Sequence, residues 1–431
     1  MQFDTLIIGG GIAGLSCAIR CSEQGQKVAV ISAGQSALHF SSGAIDVLGQ
    51  LPDGTPVTHP FESCAEFKQH FPHHPYAKLN RQQVKASLDW FETQLTLQGV
   101  KLVHASGEAN HQRLTPLGAL RSTYLSQPSS LMLPIDENPH HAPQHIVIAT
   151  IRGYRDFQPT LLKENLSKHP KFAQAKIDTI TLDLPTLPQP CEYRSIDIAH
   201  FLQTSSQLNA LADQLQRHAK HADVIILPAC VGNGDGQQVI AKLRQRCGLN
   251  LFEMPTMPPS LMGLRIEEAL KRRLREVGGM LLNGDQVQQG IFDNGKVSAV
   301  ISRNHDMPLR ANHFVLASGS YFSRGLLAER KQIREPIFDL SIASSADVPF
   351  HDDFLSPHPH QFMQQGVTTN QAFQPEKDGK TVPNLFCAGA VLAHYDPVFE
   401  GSGSGVAISS GYAIAEHILS ETTAQIDGDI A

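Results

Sequence analysis

At 431 residues the chain is long enough for about three domains and can bury a core without disulfide staples. Its apolar content of 41% is that of a soluble globular protein, and 35 Lys and Arg against 41 Asp and Glu leave a charge of −6 spread along the chain, which excludes a dominant basic footprint for nucleic acid. No apolar run approaches the roughly 18–20 residues of a membrane span, and Met1-Gln2-Phe3-Asp4 lacks the basic start of a secretory signal, so a cytosolic location is expected.

The first elements are the most informative. Residues 3–8 read as a short buried strand of a parallel sheet, followed at once by Gly9-Gly10-Gly11-Ile12-Ala13-Gly14. Leu15, Ala18, Ile19 and Ser22 then share one face of a helix that stops near Gly25, and residues 27–31 form a second strand. This strand–helix–strand context gives the glycines separate tasks. Gly9 permits the tight turn, Gly11 lets a phosphate approach the backbone, and Gly14 lets helix and strand pack closely, with the phosphate on the positive end of the helix. The end of the second strand carries Ser32 where an acidic residue would hold the ribose of an adenine dinucleotide. Either hydroxyl contacts replace it or the cofactor has no ADP half.

The Pro-rich stretch 128–143 reads as an exposed connection into a second α/β region. Residues 145–151 are an apolar strand, Phe201 to His218 a helix, and residues 224–227 another strand ending in Pro228-Ala229-Cys230-Val231-Gly232. From residue 260 a helix shows Ile266, Leu270, Leu274 and Val277 on one face, with i,i+4 pairs Glu267–Lys271 and Glu268–Arg272, and stops at Gly278-Gly279. Two strands flank the hairpin signal Asp293-Asn294-Gly295. Residues 314–320 form a strand ending in Gly319, and residues 384–390 another ending in Gly389 and Ala390. Glu400-Gly401-Ser402-Gly403-Ser404-Gly405 leads into a small-residue helix from Val406 to His417.

The seven cysteines (Cys17, Cys21, Cys64, Cys191, Cys230, Cys247 and Cys387) are scattered and include no C-x-x-C. That spacing argues against a disulfide framework, structural zinc or an iron–sulfur cluster, so any redox group must be organic. His73-His74 and His140-His141 lie in Pro-rich loop sequence and lack the spacing of a helical metal pair, and no metal is expected.

This order of motifs resembles the two-dinucleotide-binding-domain flavoproteins that include the flavoprotein subunits of fumarate reductase and succinate dehydrogenase. Several stretches look more specifically like the B-subunit family of anaerobic glycerol-3-phosphate dehydrogenase. They include Gln35-Ser36-Ala37-Leu38-His39-Phe40-Ser41-Ser42-Gly43, Arg113-Leu114-Thr115-Pro116-Leu117-Gly118, Pro255-Thr256-Met257-Pro258-Pro259-Ser260, Ile333-Arg334-Glu335-Pro336-Ile337 and Phe399-Glu400-Gly401, and the likeness covers essentially the whole chain. The resemblance implies a Rossmann-like FAD/NAD(P)-binding α/β flavoprotein fold with an inserted α/β domain. The flavin-binding domain is expected from residues 1–50, 260–335 and 380–431, with a substrate or partner domain at 51–259 and a cap or partner segment at 336–379. It also implies FMN, with FAD as the alternative, and oxidation of sn-glycerol 3-phosphate to dihydroxyacetone phosphate in anaerobic respiration. The implied partners are a larger A subunit of the same glycerol-3-phosphate dehydrogenase, which completes a catalytic dimer, and an iron–sulfur, membrane-anchoring C subunit. They would place the chain at the inner face of the cytoplasmic membrane and pass electrons to menaquinone, then fumarate or nitrate. The position after the Ala388-Gly389 turn is Ala390, where the wider flavoprotein class often has an acidic residue.

Because a flavin performs the redox step itself, the protein must supply position and electrostatics: a base for the hydroxyl proton and arginines for the phosphate. Arg121, Arg265, Arg303, Arg310, Arg324 and Arg334 lie outside the expected helix interiors, and Arg303 with His305 is the favoured pair, in a turn before the strand ending at Gly319. Gly9, Gly11, Ala13, Gly14 and Ser32 are expected at the cofactor, as are Gly319 and Gly389 at their strand ends. By the resemblance, His39, Ser41, Ser42 and Gly43 fall beside the flavin ring. The helix opened by Gly403, Ser404 and Gly405 would point its N-terminal dipole at flavin O2. A second reading keeps the fold but makes the chain a non-catalytic or electron-relay partner that stabilises the A subunit. A nicotinamide-dependent dehydrogenase fits less well, for want of the ribose carboxylate.

Overall fold

The computed structural model describes residues 2–136, 138–184, 192–232, 234–330, 332–343, 352–353, 356 and 358–430; Cys191 lies outside them. The chain begins with strand β1 (Gln2–Ile8), helix α1 (Ile12–Glu23) and strand β2 (Val28–Ser32). α1 buries Leu15, Ala18 and Ile19 and ends as the sequence predicts, with Gly25 in the left-handed region (φ +82°) donating to the Ser22 carbonyl. α2 (Pro60–His70) starts on a proline. α3 (Arg81–Leu97) starts on an Asn80–Gln83 capping box.

A hairpin, β3 (His111–Leu114) and β4 (Leu120–Thr123), precedes the second α/β region. That region runs β5 (His145–Ile151), α4 (Pro159–Lys168), β6 (Lys176–Leu182), α5 (Ser195–Phe201), α6 (Ser205–Ala219), β7 (Val224–Pro228), α7 (Gly236–Cys247) and β8 (Leu251–Met254). The helix expected from Phe201 to His218 is α6, which starts four residues later, at Ser205, while Phe201 closes the separate α5. Thr204 caps α6 in a box with Gln207, which stops the preceding helix and restarts the backbone.

α8 (Leu261–Glu276) buries Ile266, Leu270 and Leu274 as expected, but Arg272 turns to Gln98 rather than Glu268, donating to its side-chain and main-chain oxygens at 3.3 and 3.2 Å. After β9 (Met280–Asn283), β10 (Val287–Asp293) and β11 (Lys296–Ser302) form the expected hairpin. Asn294 and Gly295 both take positive φ, which matches the strand twist. β12 (Arg310–Leu316) follows, then the short ribbons β13 (Leu327–Ala328) with β14 (Ile333–Arg334) and β15 (Glu376–Lys377) with β16 (Lys380–Thr381). β17 (Leu385–Cys387) and α9 (Gly403–Ile430) close the chain.

The chain divides into two compact units. One comprises Met1–Ala37, Asp46–Gly99 and Ala269–Ala431, the other Leu38–Ile45 and Val100–Glu268. The first holds a five-stranded parallel sheet ordered β17-β12-β1-β2-β9, in which Ile8 pairs with both Leu316 and Ile31. Residues 51–99, expected in the inserted domain, belong here because α3 packs on α9, with the buried hydroxyls of Ser87 and Ser409 2.9 Å apart. Residues 336–379 belong to it as well, whereas 260–268 go with the second unit. The second unit has its own parallel sheet, ordered β6-β5-β7-β8 and filled by Ile146, Ile148, Ile225 and Leu251. Among the described residues no helix is long and apolar enough to cross a membrane.

Candidate functional site

In the first unit the C-terminal ends of the parallel strands meet the start of α1. Gly9 has φ +120°, and a Cβ there would lie 2.1 Å from the Ala317 carbonyl oxygen; a Cβ on Gly14 would lie 2.0 Å from the Gly9 carbonyl oxygen. Both positions are closed to any side chain. At Gly11, by contrast, the nearest atom to such a Cβ is Ser36 Cβ at 4.0 Å. Gly11 is also the N-cap of α1, with no side-chain cap and no acid in the first turn. The first helical bond runs from Leu15 to Gly11, so the N–H groups of the opening turn, Ala13 among them, face an uncrowded space. Three glycines of one motif thus divide into two for packing and one for approach, and an anion is what such an end accepts.

Ser32, at the end of β2, is buried and donates to the Gly34 carbonyl at 3.0 Å. Its Oγ would be 2.7 Å from a Cβ on Gly10. The next strand supplies an acid nearby: the N–H of Asp285, just past β9, donates to the Ser32 carbonyl at 3.2 Å. That carboxylate is already engaged. It accepts from the Gln286 and Asn304 N–H groups at 2.9 Å each and faces His305 Nδ1 at 2.8 Å. Burial pushes the Asp285 carboxyl up, but the bonds from Ser302, Asn304, His305 and Gln286 outweigh it and hold it below the usual range. Arg303 is exposed, its N–H bonded to the Gln286 carbonyl. The favoured Arg303–His305 pair therefore sits beside β9 and β2.

Gly319 and Gly389 sit on the other side of β1, past β12 and β17. Gly319 (φ +81°) packs on Ser323, while Gly389 (φ +71°) leaves no room between itself and Ala13. The structure does not bring Arg303 and His305 to these residues. The start of α9 lies with Gly389, whose N–H donates to Ser410 Oγ at 3.0 Å. Here the Ser402 carbonyl accepts the first helical bond from Val406, and Gly405 gives its N–H to the Asp46 carbonyl at 2.9 Å. Gly405 is a packing position, since a Cβ would lie 2.2 Å from the Tyr76 hydroxyl. The N–H groups of Gly403 and Ser404 remain to open the helix.

Just before that turn is a buried network centred on Glu400, which the sequence marks only within the Phe399-Glu400-Gly401 stretch. Glu400 accepts from the Asp396 N–H and the Ser402 hydroxyl at 2.8 Å each, and His74 Nε2 lies 3.0 Å away. Because His74 Nδ1 accepts the Tyr76 N–H at 3.0 Å, its proton is on Nε2 and points at Glu400. The Glu400 carbonyl in turn holds Gly49 and Gln50. For His74 the signal is the spacing His74-Pro75-Tyr76, a histidine capping a tight turn.

His39, Ser41, Ser42 and Gly43 belong to the second unit. The His39 carbonyl accepts from Ser260, Ser41 and Ser42 hydroxyls accept the N–H groups of Gly43 and Ala44, and Gly43 (φ +71°) is pressed against Met262 and Gln127. His39 Nδ1 is buried with no hydrogen-bond partner among the described residues. Of the remaining arginines, Arg265 is buried and clasped by Glu253 at 2.7 and 2.8 Å, Arg310 opens β12, Arg334 pairs with Glu329 at 3.2 Å, and Arg324 takes φ +60° after a short turn.

Residues 4–406 match the FAD binding domain family. The B subunit of anaerobic glycerol-3-phosphate dehydrogenase from Vibrio cholerae is 46% identical over 426 residues, covering 97% of each chain. That of Aliivibrio fischeri strain ES114 is 45% identical over 438 residues, covering 98% of this chain and 96% of the relative. The chain belongs to the B-subunit family of anaerobic glycerol-3-phosphate dehydrogenase. Among solved structures, a chain of E. coli quinol fumarate reductase is similar over 97% of this chain and 70% of its own, at 10% identity and a TM-score of 0.43. Membership of the B-subunit family and of the FAD binding domain family makes the chain a flavin-binding α/β oxidoreductase. The matched domain family is defined by FAD, not by the FMN that the resemblance implies.

Proposed function

We propose that this chain, paired with the A subunit, oxidises sn-glycerol 3-phosphate to dihydroxyacetone phosphate with FAD as its flavin, and passes the electrons through the partner C subunit to a membrane quinone, menaquinone, and on to fumarate or nitrate. The observation that carries the cofactor reading is a pair of open helix ends in one unit. α1 has the uncrowded Gly11 at its start, and α9 has the unclaimed N–H groups of Gly403 and Ser404. FAD would bring its pyrophosphate to the first and, to the second, flavin O2, a carbonyl oxygen that gathers negative charge when the ring is reduced. The β2–β9 side then falls to the adenosine half, where Ser32 replaces the customary acid and Asp285 with His305 walls the neighbouring strand. We therefore assign Arg303 and His305 to the adenosine end rather than to the reacting centre.

A bound flavin supplies two-electron acceptance from the carbinol carbon. The chain's part is to hold it: Gly9 and Gly14 fix the loop, Ala13 and its neighbours present N–H groups, and the α9 dipole favours negative charge at its opening. The substrate and the partners are supported by the name borne by relatives at 45–46% identity over nearly the whole chain, that of one subunit among several of a glycerol-3-phosphate dehydrogenase.

The test is to denature the purified chain and chromatograph its released flavin, then to add glycerol 3-phosphate anaerobically to the flavin-loaded chain with and without the A subunit. FAD is expected, and FMN would overturn the cofactor reading. Bleaching of the chain's own flavin is expected without the A subunit. Bleaching only in the presence of that partner favours the electron-relay reading, and no bleaching in either case sinks the substrate.

A further inference from the structure

Three side chains that can carry positive charge gather in the first unit, with no counter-ion among the described residues. His394, in the connection from β17 to α9, has φ +68°, a left-handed backbone that a residue with a side chain seldom adopts. Its N–H is pinned to the Gln364 carbonyl at 2.7 Å. The imidazole lies with its ring centre 5.2 Å from that of His73. Nearby, Lys78 donates to the Thr369 carbonyl at 2.8 Å and to the Thr369 hydroxyl, and its ammonium lies 5.4 Å from the centre of the Phe373 ring. An ammonium has three donors, so one is left.

Among the described residues neither the His73 nor the His394 ring has a hydrogen-bond partner, and none of the three groups forms an ion pair with a carboxylate. Their mutual effect is unfavourable: desolvation first, then the charges of His73, Lys78 and His74, push the His394 imidazole below its ordinary value, while burial pulls Lys78 down to about 8. A protein that tolerates strain and repulsion to hold cationic groups together has left room for an anion to join them. The cluster also neighbours the opening of α9, because His74, next to His73 in the chain, is bonded to Glu400.

We propose that His73, Lys78 and His394 form the subsite for the phosphate dianion of the substrate. This rests on the reading of the substrate as glycerol 3-phosphate. A phosphate monoester offers three acceptor oxygens and close to two negative charges at neutral pH, enough to engage the spare Lys78 donor and a ring N–H of each imidazole. The glycerol carbons would then extend from this anchor, and a substrate lacking the phosphate would lose it.

The experiment is calorimetric titration of the flavin-loaded full chain with glycerol 3-phosphate, glycerol and inorganic phosphate. It is repeated on Lys78→Met and on the double variant His73→Gln with His394→Gln. Glycerol 3-phosphate and phosphate are expected to bind the wild type and to weaken on the order of tenfold or more in each variant, the loss of one charge-assisted bond. Glycerol binding, the flavin spectrum and the melting temperature should stay put, and Lys78→Arg should recover part of the affinity. In turnover the variants should raise KM far more than they lower kcat, which a merely structural role would not do. Unchanged glycerol 3-phosphate affinity in both variants overturns the subsite and leaves the proposed reaction standing. Phosphate binding that depends on these residues, with no binding of glycerol 3-phosphate, supports the anion site and overturns the substrate instead. Binding of neither anion to the wild type overturns the subsite.

Discussion

The two parallel sheets each feed a glycine-rich turn into a helix, yet only one of those turns is available to a ligand. In the first unit, Gly9-Gly10-Gly11-Ile12-Ala13-Gly14 leaves the space beyond Gly11 clear to 4.0 Å. In the second, Gly232, Gly234 and Gly236 lie from the end of β7 to the start of α7, in a sheet whose order, β6-β5-β7-β8, places a switch of direction between β5 and β7. Such a switch is where open α/β sheets bind ligands. There a Cβ on Gly236 would lie 2.0 Å from the Arg265 guanidinium, which fills the place and donates to the Val231 carbonyl at 3.0 Å. A positive group at a helix N-terminus is electrostatically unfavourable, and the bidentate bond to Glu253 offsets it. What distinguishes the turns is therefore not the glycines but what faces their missing side chains.

The sharpest way to break this comparison is to remove the plug. Arg265→Met strands the buried Glu253 and should cost about 3–5 kcal/mol in urea unfolding, while the flavin spectrum of the folded fraction stays unchanged. Adding Glu253→Leu should recover most of the loss. A cost below about 1 kcal/mol would mean that the pair does not hold the second turn closed.

A paired alanine test comes next. Gly236→Ala should destabilise by about 1–3 kcal/mol through overpacking and leave flavin affinity alone. Gly11→Ala should change stability by less than about 0.5 kcal/mol yet weaken flavin retention on the order of tenfold, measured by dialysis against a flavin-free buffer. If both variants behave alike, the two turns do not differ as described.

The smallest effect concerns Asp285. Its carboxyl titrates lower in the folded chain than in the unfolded one, so its stabilisation is present above an ordinary carboxylate pKa of about 4 and fades as pH falls through the folded value. Asp285→Asn should cost on the order of 1 kcal/mol at neutral pH, and the gap to the wild type should close in acid. A gap that persists at low pH would mean that the loss is one of shape rather than charge.

The first strand–helix–strand unit, the Asp293-Asn294-Gly295 hairpin and the strands at 145–151 and 224–227 are all readable from periodicity and turn chemistry, which act over a few residues. The break at Leu202–Thr204 escapes that reading because the apolar pattern runs through it while a local capping box wins. Residues 51–99 escape it for the opposite reason: nothing local says that α3 packs on a helix more than 300 positions later. The cofactor glycines are legible as a motif, but the division between Gly11 and its packing neighbours needs three dimensions. Arg303 and His305 adjoin the right strand in sequence and the far side of the sheet in space. His73, Lys78 and His394 come together only through tertiary contacts.

Gly411 of α9 presses on the Ala13 backbone, and Gly389 in the turn before α9 presses on the Ala13 Cβ, so α1 and α9 touch through backbone where other helices would be spaced by side chains. A contact that tight behaves as a fixed jaw. The gap between the openings of α1 and α9 is machined by the protein's own framework before any cofactor arrives, and a guest too short to bridge it would leave one opening idle.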